Sequence, residues 1–325
     1  MKHIFIMNPA AGKGKAGEVF LPRIIEASKK LEIDYEIHRT IAPGDAEHFV
    51  RTRCETLAKE IREEESKKEI VRFYACGGDG TLNEVANGAY GYPGVEIAMI
   101  PAGTGNDFPR SFGDGPLFED IEAQIRGTSR SIDLIRYVTT SDEEDNPPFV
   151  RYGINMFNIG LDCNVADRVG TIKQYPFVNG SLAYIIGIAI VLGKKEGVKL
   201  QLCLEDGELY EGDYILAAIG NGCYCGGGFK ALPRAITNDS LMDVIIVDNL
   251  TRRTLLSIIG KYRKGTHLDD PSVMNFLTYK QCKSLKMIPN GKVKMCTDGE
   301  VSTVGETVFE ILPNAMKFSV PQGCY

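Results

Sequence analysis

Cys76-Gly77-Gly78-Asp79-Gly80-Thr81-Leu82-Asn83 is the stretch on which the reading of the fold turns. It is entered by an apolar run, Ile70-Val71-Arg72-Phe73-Tyr74-Ala75, with the β-branched and aromatic content of a buried strand. It is left by Thr81 and Glu84 at the spacing of a helix N-terminal capping box. Leu82, Val85, Ala86 and Ala89 then share one helical face. Three glycines around one carboxylate, between strand and helix, let the backbone approach a ligand and aim N–H groups at an anion. The stretch reads as a phosphate-binding turn.

On either side of it the chain alternates. Strand 3–7 leads to a helix with Phe20, Ile24, Ala27 and Leu31 at helical spacing, and strand 34–39 to one with Ala46, Val50, Leu57 and Ile61. After the Thr81 helix comes a further strand over 96–100. This rhythm predicts an α/β fold, a doubly wound parallel sheet with helices on both faces, whose ligands bind beyond the carboxyl ends of the strands.

The pattern changes after about Asp133. Runs over 152–159, 199–204, 214–219, 243–247, 284–288 and 293–296 predict a strand-rich, sandwich-like second domain, interrupted by helices near 181–192 and 252–262. Ser141–Pro148 reads as an acidic, solvated connection. The change of pattern divides the chain at about 133/134.

Composition narrows the class. The chain has 325 residues, 43% hydrophobic and 25% charged, ample for more than one core. A net charge of −6 gives no overall basic footprint for nucleic acid. Nine cysteines without metal-ligand spacing suggest a reducing cytoplasm. No signal peptide is expected. The longest apolar run, Ala183–Leu192, is too short to cross a bilayer; it reads as a buried helix or as a lipid-facing wall. Gly12-Lys13-Gly14-Lys15 lacks Walker spacing, so Lys13 and Lys15 read as solvated charges.

Three further motifs occur in order around the glycine turn: Asn8-Pro9-Ala10-Ala11-Gly12, Pro101-Ala102-Gly103-Thr104-Gly105-Asn106-Asp107-Phe108 and Thr297-Asp298-Gly299-Glu300. With Gly77–Thr81 they resemble the soluble, bacterial-type diacylglycerol kinase (lipid kinase) family, over nearly the whole chain. NAD kinases share the glycine turn, but their other signature segments are absent from this sequence.

The resemblance implies an ATP- and magnesium-dependent kinase acting on a lipid hydroxyl, diacylglycerol first, with peripheral contact at a membrane surface. It also implies that the last two strands, 308–312 and 316–320, return to the first domain, so that 1–133 with about 307–325 forms the nucleotide domain and 134–306 the lipid-substrate domain. Asn8, Thr40, Gly77, Gly78, Asp79, Gly80, Thr81, Glu84, Gly105 and Asn106 are then expected at the nucleotide. Asp298 is expected to accept the hydroxyl proton and Glu300 to assist it, Gly299 allowing a tight turn that presents both carboxylates. A plain Asp-Gly hairpin is the competing reading of that turn. A second magnesium is implied at Asp239 and Leu241, linked to Asp79, although Asn238 and Ser240 replace the family's first Asp and its Gly. Asn221 is a weaker candidate near the site.

Other acceptors stay open: a sphingoid base, ceramide, phosphatidylglycerol or a non-lipid alcohol. So does a non-catalytic lipid- or nucleotide-binding regulator, and so does a homodimer. Arg252, Arg253, Lys261, Arg263 and Lys264 read as a solvated helix face or as a basic patch for anionic lipid.

Overall fold

Strands β1 (Lys2–Met7), β2 (Tyr35–Arg39), β3 (Val71–Gly77) and β4 (Val95–Pro101) pair in parallel in the order β2-β1-β3-β4. This is a computed structural model, describing residues 1–63, 69–113, 115–140, 148–172 and 197–324. It divides into two units, Met1–Ile132 with Asn314–Tyr325, and Asp133–Pro313.

In the first unit, alternation along the strands sends side chains to opposite faces. Phe5, Met7, Tyr74, Cys76, Ala98 and Ile100 pack with Phe20, Ile24 and Ala27 of α1 (Ala16–Lys30) and with Ile121 and Ile125 of a short helix, 121–125. The other face meets α3 (Asp79–Ala89), which packs on β3 and β4 and against α2 (Asp45–Glu63). A Cβ at Gly88 would lie 2.6 Å from the Glu47 carbonyl oxygen, so α2 and α3 need that glycine to approach so closely. In α2 the buried stripe is Ala46, Val50 and Cys54, with Leu57 half-exposed; the Ile61 side chain lies outside the described residues. Arg72 is buried, paired with Glu96 across β3 and β4, and donates to the carbonyls of Gln124, Ile125 and Gly127. Removing one partner of such a pair costs roughly 3–5 kcal/mol.

The capping box is not formed. The N-cap of α3 is Gly78, and Thr81 already lies inside the helix. Glu84 instead accepts the Gly44 N–H (2.9 Å) and the Ala46 N–H (3.1 Å), capping α2. The helix begins earlier because Gly78 takes the extended N-cap geometry itself.

The second unit is β-rich. Strands β7 (Met156–Gly160), β9 (Leu209–Gly220) and β10 (Met242–Asp248) are covered on both faces. Phe157, Ile159, Ala217, Ile219, Val244 and Ile246 join a core with Leu285, Met287, Met295 and Phe309. Leu216, Ala218, Ile245 and Val247 pack beneath α6 (Leu161–Ile172) and α7 (Arg252–Lys264) through Leu161, Val165, Leu255, Ile258 and Tyr262. Burial on both faces explains the unbroken apolar runs over 214–219 and 244–247.

The expected strand 152–159 is broken into β6 (Phe149–Gly153) and β7, because the Asp298 carboxylate takes the N–H groups of Ile154, Asn155 and Met156. The two expected C-terminal strands are one, β15 (Thr307–Val320). Its first residues pair with β12 (Ser284–Pro289); Phe318 pairs in parallel with Ile97 and packs its ring on Phe108 and Phe112. The return to the first unit thus begins at Asn314 rather than near 307. The helix expected near 181–192 and residues 141–147 of the acidic connection lie outside the described residues.

Candidate active site

Strand order reverses between β1 and β3, and both are followed by a predicted motif. This is the place where open α/β sheets accept ligands. The loops there are locked to one another. Asp79 receives the Asn106 N–H on Oδ2 and the Asp107 N–H on Oδ1, both at 2.8 Å. Asn106, at φ +51°, accepts the Gly103 N–H at 3.0 Å and donates to the Gly103 carbonyl at 2.9 Å. Asn8 accepts the Ala10 N–H in an Asx turn, and its Nδ2 donates to Thr81 Oγ1 at 3.1 Å.

The glycines serve this packing first. A Cβ on Gly77 would stand 2.3 Å from Thr81 Oγ1, and one on Gly103 would stand 2.6 Å from the Gly78 Cα. A Cβ on Gly105 would stand 2.7 Å from Asp79 Oδ2. Asn8, Gly77, Gly78, Asp79, Gly80, Thr81, Gly105 and Asn106 therefore sit on one interlocked cluster of loops. The first intrahelical bond of α3 runs from the Leu82 N–H to the Gly78 carbonyl, leaving the preceding amides at the positive end of the helix. Thr40, half-buried at the end of β2, is tied in by its N–H to the Met7 carbonyl. Glu84 sits one turn along α3 and is occupied in capping α2.

In the second unit, β13 (Val293–Thr297) and β14 (Glu300–Val304) are joined by Asp298 and Gly299, at φ +48° and +96°. The hairpin geometry is realised, and it does not present the two carboxylates alike. Glu300 is exposed, whereas Asp298 is 3% exposed. Asp298 Oδ1 accepts the N–H groups of Asn155 (3.0 Å) and Met156 (2.9 Å), and Oδ2 that of Ile154 (2.8 Å). Asn221 is fully buried, donating to the Asp133 carbonyl at 2.8 Å.

Ser240 occupies the left-handed region at φ +67°, so the turn keeps the shape a glycine would favour. Its N–H donates to Asp133 Oδ2 at 2.7 Å, and the Leu241 N–H donates to Asp239 Oδ1 at 3.1 Å. Burial, and then the Asp133 charge, hold the Asp239 carboxyl above the usual carboxylate range. The Asp239 carboxylate and nearby carbonyls are hard oxygen donors of the kind magnesium takes. Among the described residues no group of three or more His, Cys, Asp or Glu could hold a metal, so such an ion would need carbonyl or water ligands as well.

Sequence reasoning missed one feature of this unit. Beneath α7 lies a narrow apolar slot of about 30 Å³, lined by Leu216, Phe229, Val247, Leu255, Ile258 and Leu277. Its polar groups include the Asp162 carboxylate, which accepts the Tyr262 hydroxyl at 2.6 Å. Burial pushes Asp162 up to about 6, against the pull of the Tyr262 and Cys225 hydrogen bonds. His267, also buried, is pushed down. A carboxylate directly after the buried strand 156–160, opening an apolar helix, was the available signal.

A glycine turn at a helix N-terminus, interlocked with neighbouring loops at the reversal of a parallel sheet, is an arrangement that can receive an anionic ligand. Comparisons with known proteins give the family. The family described as Diacylglycerol kinase catalytic domain matches residues 2–137, and that described as YegS C-terminal NAD kinase beta sandwich-like domain matches 155–320. A protein named "Probable lipid kinase YegS-like" from Shewanella frigidimarina is 28% identical, over 78% of each chain. One named "Diacylglycerol kinase" from Bacillus subtilis is 25% identical, over 91% of this chain and 88% of its own. A crystal structure of a candidate diacylglycerol kinase from Bacillus anthracis has the same fold, with a TM-score of 0.71 at 22% identity over 99% and 97% of the two chains. The chain belongs to the bacterial lipid kinase family built from these two domains, and membership implies ATP as phosphoryl donor.

Proposed function

We propose that the protein transfers the terminal phosphoryl group of ATP to a lipid hydroxyl, with diacylglycerol as acceptor and phosphatidic acid as product. The observation that carries the lipid half is the apolar slot under α7. An apolar lining with few polar groups suits an acyl chain near a hydroxyl-bearing head. At its present volume the slot has room for one or two waters, so an acyl chain would require α7 to move outward.

The residues take the following parts. The amides at the start of α3 bind phosphate oxygens, with Asn8 and Thr81 fixing the approach of the β1 loop. Asp79 is a positioning residue that holds the 103–107 loop in register through the Asn106 and Asp107 amides. The Asp298 carboxylate takes the proton of the attacking hydroxyl, and Glu300 assists in orienting the acceptor. The new bond joins the lipid oxygen to the γ-phosphorus as the bond to the bridging oxygen breaks, and ADP leaves. Asp239 and the Leu241 carbonyl would hold a magnesium ion. Magnesium carried by ATP would offset charge on the transferring group.

No described helix is long and apolar enough to cross a membrane, and the cysteines are free thiols, which supports peripheral action from a reducing cytoplasm. Ile258→Trp, which fills the slot, tests the lipid assignment. It is expected to raise the lipid KM about tenfold or more and to leave the ATP KM unchanged. An unchanged lipid KM would remove the slot from the acceptor site.

A further inference from the structure

We propose that the slot beneath α7 is a binding site for a linear alkyl amine, with the ammonium group held by Asp162 and the chain by the apolar lining. Asp162 opens α6 directly after the buried strand β7 and is only 7% exposed. Its Oδ2 accepts the Tyr262 hydroxyl at 2.6 Å and, weakly, the Cys225 thiol at 3.9 Å. Among the described residues Oδ1 accepts no hydrogen bond. An ionised carboxylate can accept on both oxygens, so one of the two is left for a ligand.

A buried carboxylate is ordinarily paired with a cation. Asp162 has neutral donors instead, and among the described residues no basic side chain acts on it. Lys261 of α7 is paired with Asp270, and Lys294 of β13 with Asp167 further along α6. The Arg263 guanidinium stands over the Phe229 ring, 5.8 Å from its centre. His267 also lines the slot, with Nε2 3.1 Å from the Ala231 carbonyl, and burial pushes its pKa down, so it is neutral at pH 8.

The apolar lining sets the rest of the ligand: one polar end and an alkyl body. A bare metal cation would want about six oxygen ligands, more than a carboxylate and a phenol supply. A fatty carboxylate would meet Asp162 with like charge, and a fatty alcohol would leave that charge uncompensated. An ammonium group compensates it and donates to Oδ1. The present volume of about 30 Å³ admits the head alone, so the chain would require α7 to move outward. Tyr262 ties α7 to this same carboxylate, so a ligand on Asp162 acts at the attachment of the roof.

The amine site is not the acceptor site. Asp298 is bonded to the Met156 amide at one end of β7, and Asp162 lies beyond the other end. At roughly 3.3 Å per residue the strand advances about 13 Å between them. An amine at Asp162 is therefore too far from Asp298 to belong to the head whose hydroxyl is phosphorylated. It would instead compete with the acyl chain. That competition rests on the proposed lipid acceptor; the amine site itself does not.

The test is calorimetric titration of the full chain at pH 8, where Asp162, at about 6, is ionised, with n-octylamine, 1-octanol and octanoate. Wild type is expected to bind octylamine about tenfold or more tighter than octanol, and octanoate more weakly still. Asp162→Asn should bring octylamine down to the level of octanol, and Ile258→Trp should abolish the binding of both. Glu211→Gln, which removes an exposed carboxylate of β9, should leave octylamine binding unaltered. Equal binding of amine and alcohol by wild type, no binding of octylamine, unchanged octylamine binding in Asp162→Asn or Ile258→Trp, or equal loss in Glu211→Gln would each overturn the proposal. The wild-type comparison decides the matter even if Asp162→Asn fails to fold. Since the readout is binding, failure here would leave phosphoryl transfer untouched.

Discussion

Asp298 and Met156 hold each other by a reciprocal pair of hydrogen bonds. The Asp298 N–H donates to the Met156 carbonyl at 3.1 Å, and the Met156 N–H donates to Asp298 Oδ1 at 2.9 Å. The proposed base is thereby built into the backbone it interrupts, and a substitution at Asp298 tests folding and catalysis together. Asp298→Asn would turn an amide NH2 toward backbone N–H donors. It should lose turnover and also about 1–3 kcal/mol of stability, the cost of a buried donor left without an acceptor. Urea unfolding of the variant checks this; unchanged stability would show that the three N–H bonds contribute little.

Glu300 gives a cleaner contrast. It is exposed at the start of β14, so Glu300→Gln should unfold like wild type. If it assists the acceptor, kcat should fall by about tenfold to a hundredfold, within the range of positioned acid–base groups. Wild-type turnover in this variant would remove it from the mechanism.

Gly105 should tolerate no side chain. Gly105→Ala places a methyl 2.7 Å from Asp79 Oδ2 and 3.1 Å from Asp107 Oδ2, forcing the clamp on the 103–107 loop to open. ATP affinity measured by calorimetry should drop about tenfold or more, a loss of roughly 1.4 kcal/mol. The lipid KM should not change.

Ser240→Gly should stabilise the protein. Ser240 bears left-handed strain at φ +67° that glycine would not. The strain amounts to about 1–2 kcal/mol, partly offset by the greater chain entropy of glycine when unfolded, leaving a gain of about 0.5–1 kcal/mol. A lower unfolding midpoint would contradict the turn as described.

Acid should unfold the first unit partly through His3. Burial, then the Arg72 charge and the N-terminus, lower its pKa from 6.5 to about 4, with Nδ1 2.8 Å from the Tyr74 hydroxyl. Between those values the unfolded chain binds a proton that the folded chain refuses, so stability falls as pH drops from about 6.5 to about 4. The full loss is roughly 3 kcal/mol. Asp162 and Asp243, raised to about 6, act in the opposite sense, gaining stability as pH falls below 6. The quantity to measure is therefore the difference between wild type and His3→Gln: the variant should lose less stability across this window. Parallel curves would exclude His3.

The sheet was legible because the β1, β3 and β4 runs are short and apolar and each leads into a turn that contains glycine. The motif order was enough to indicate the family. The capping box misled because Thr81 and Glu84 fit a local pattern while Glu84 is used forty residues away, at Gly44. Residues 152–159 read as one strand because nothing local reveals that a carboxylate beyond residue 290 takes their amides. The slot under α7 was hidden for a similar reason. Leu216, Val247, Leu255 and Leu277 each look like ordinary core, and only the tertiary fold leaves a gap among them.

The central claim is tested most directly by incubating the purified protein with labelled ATP, magnesium and a panel of mixed-micelle lipids, with Glu300→Gln alongside. Labelled phosphatidic acid from diacylglycerol, made by wild type and strongly reduced in the variant, is the predicted result. Label on another lipid would keep phosphoryl transfer and replace the acceptor. ATP binding with no labelled product from any lipid would contradict the account.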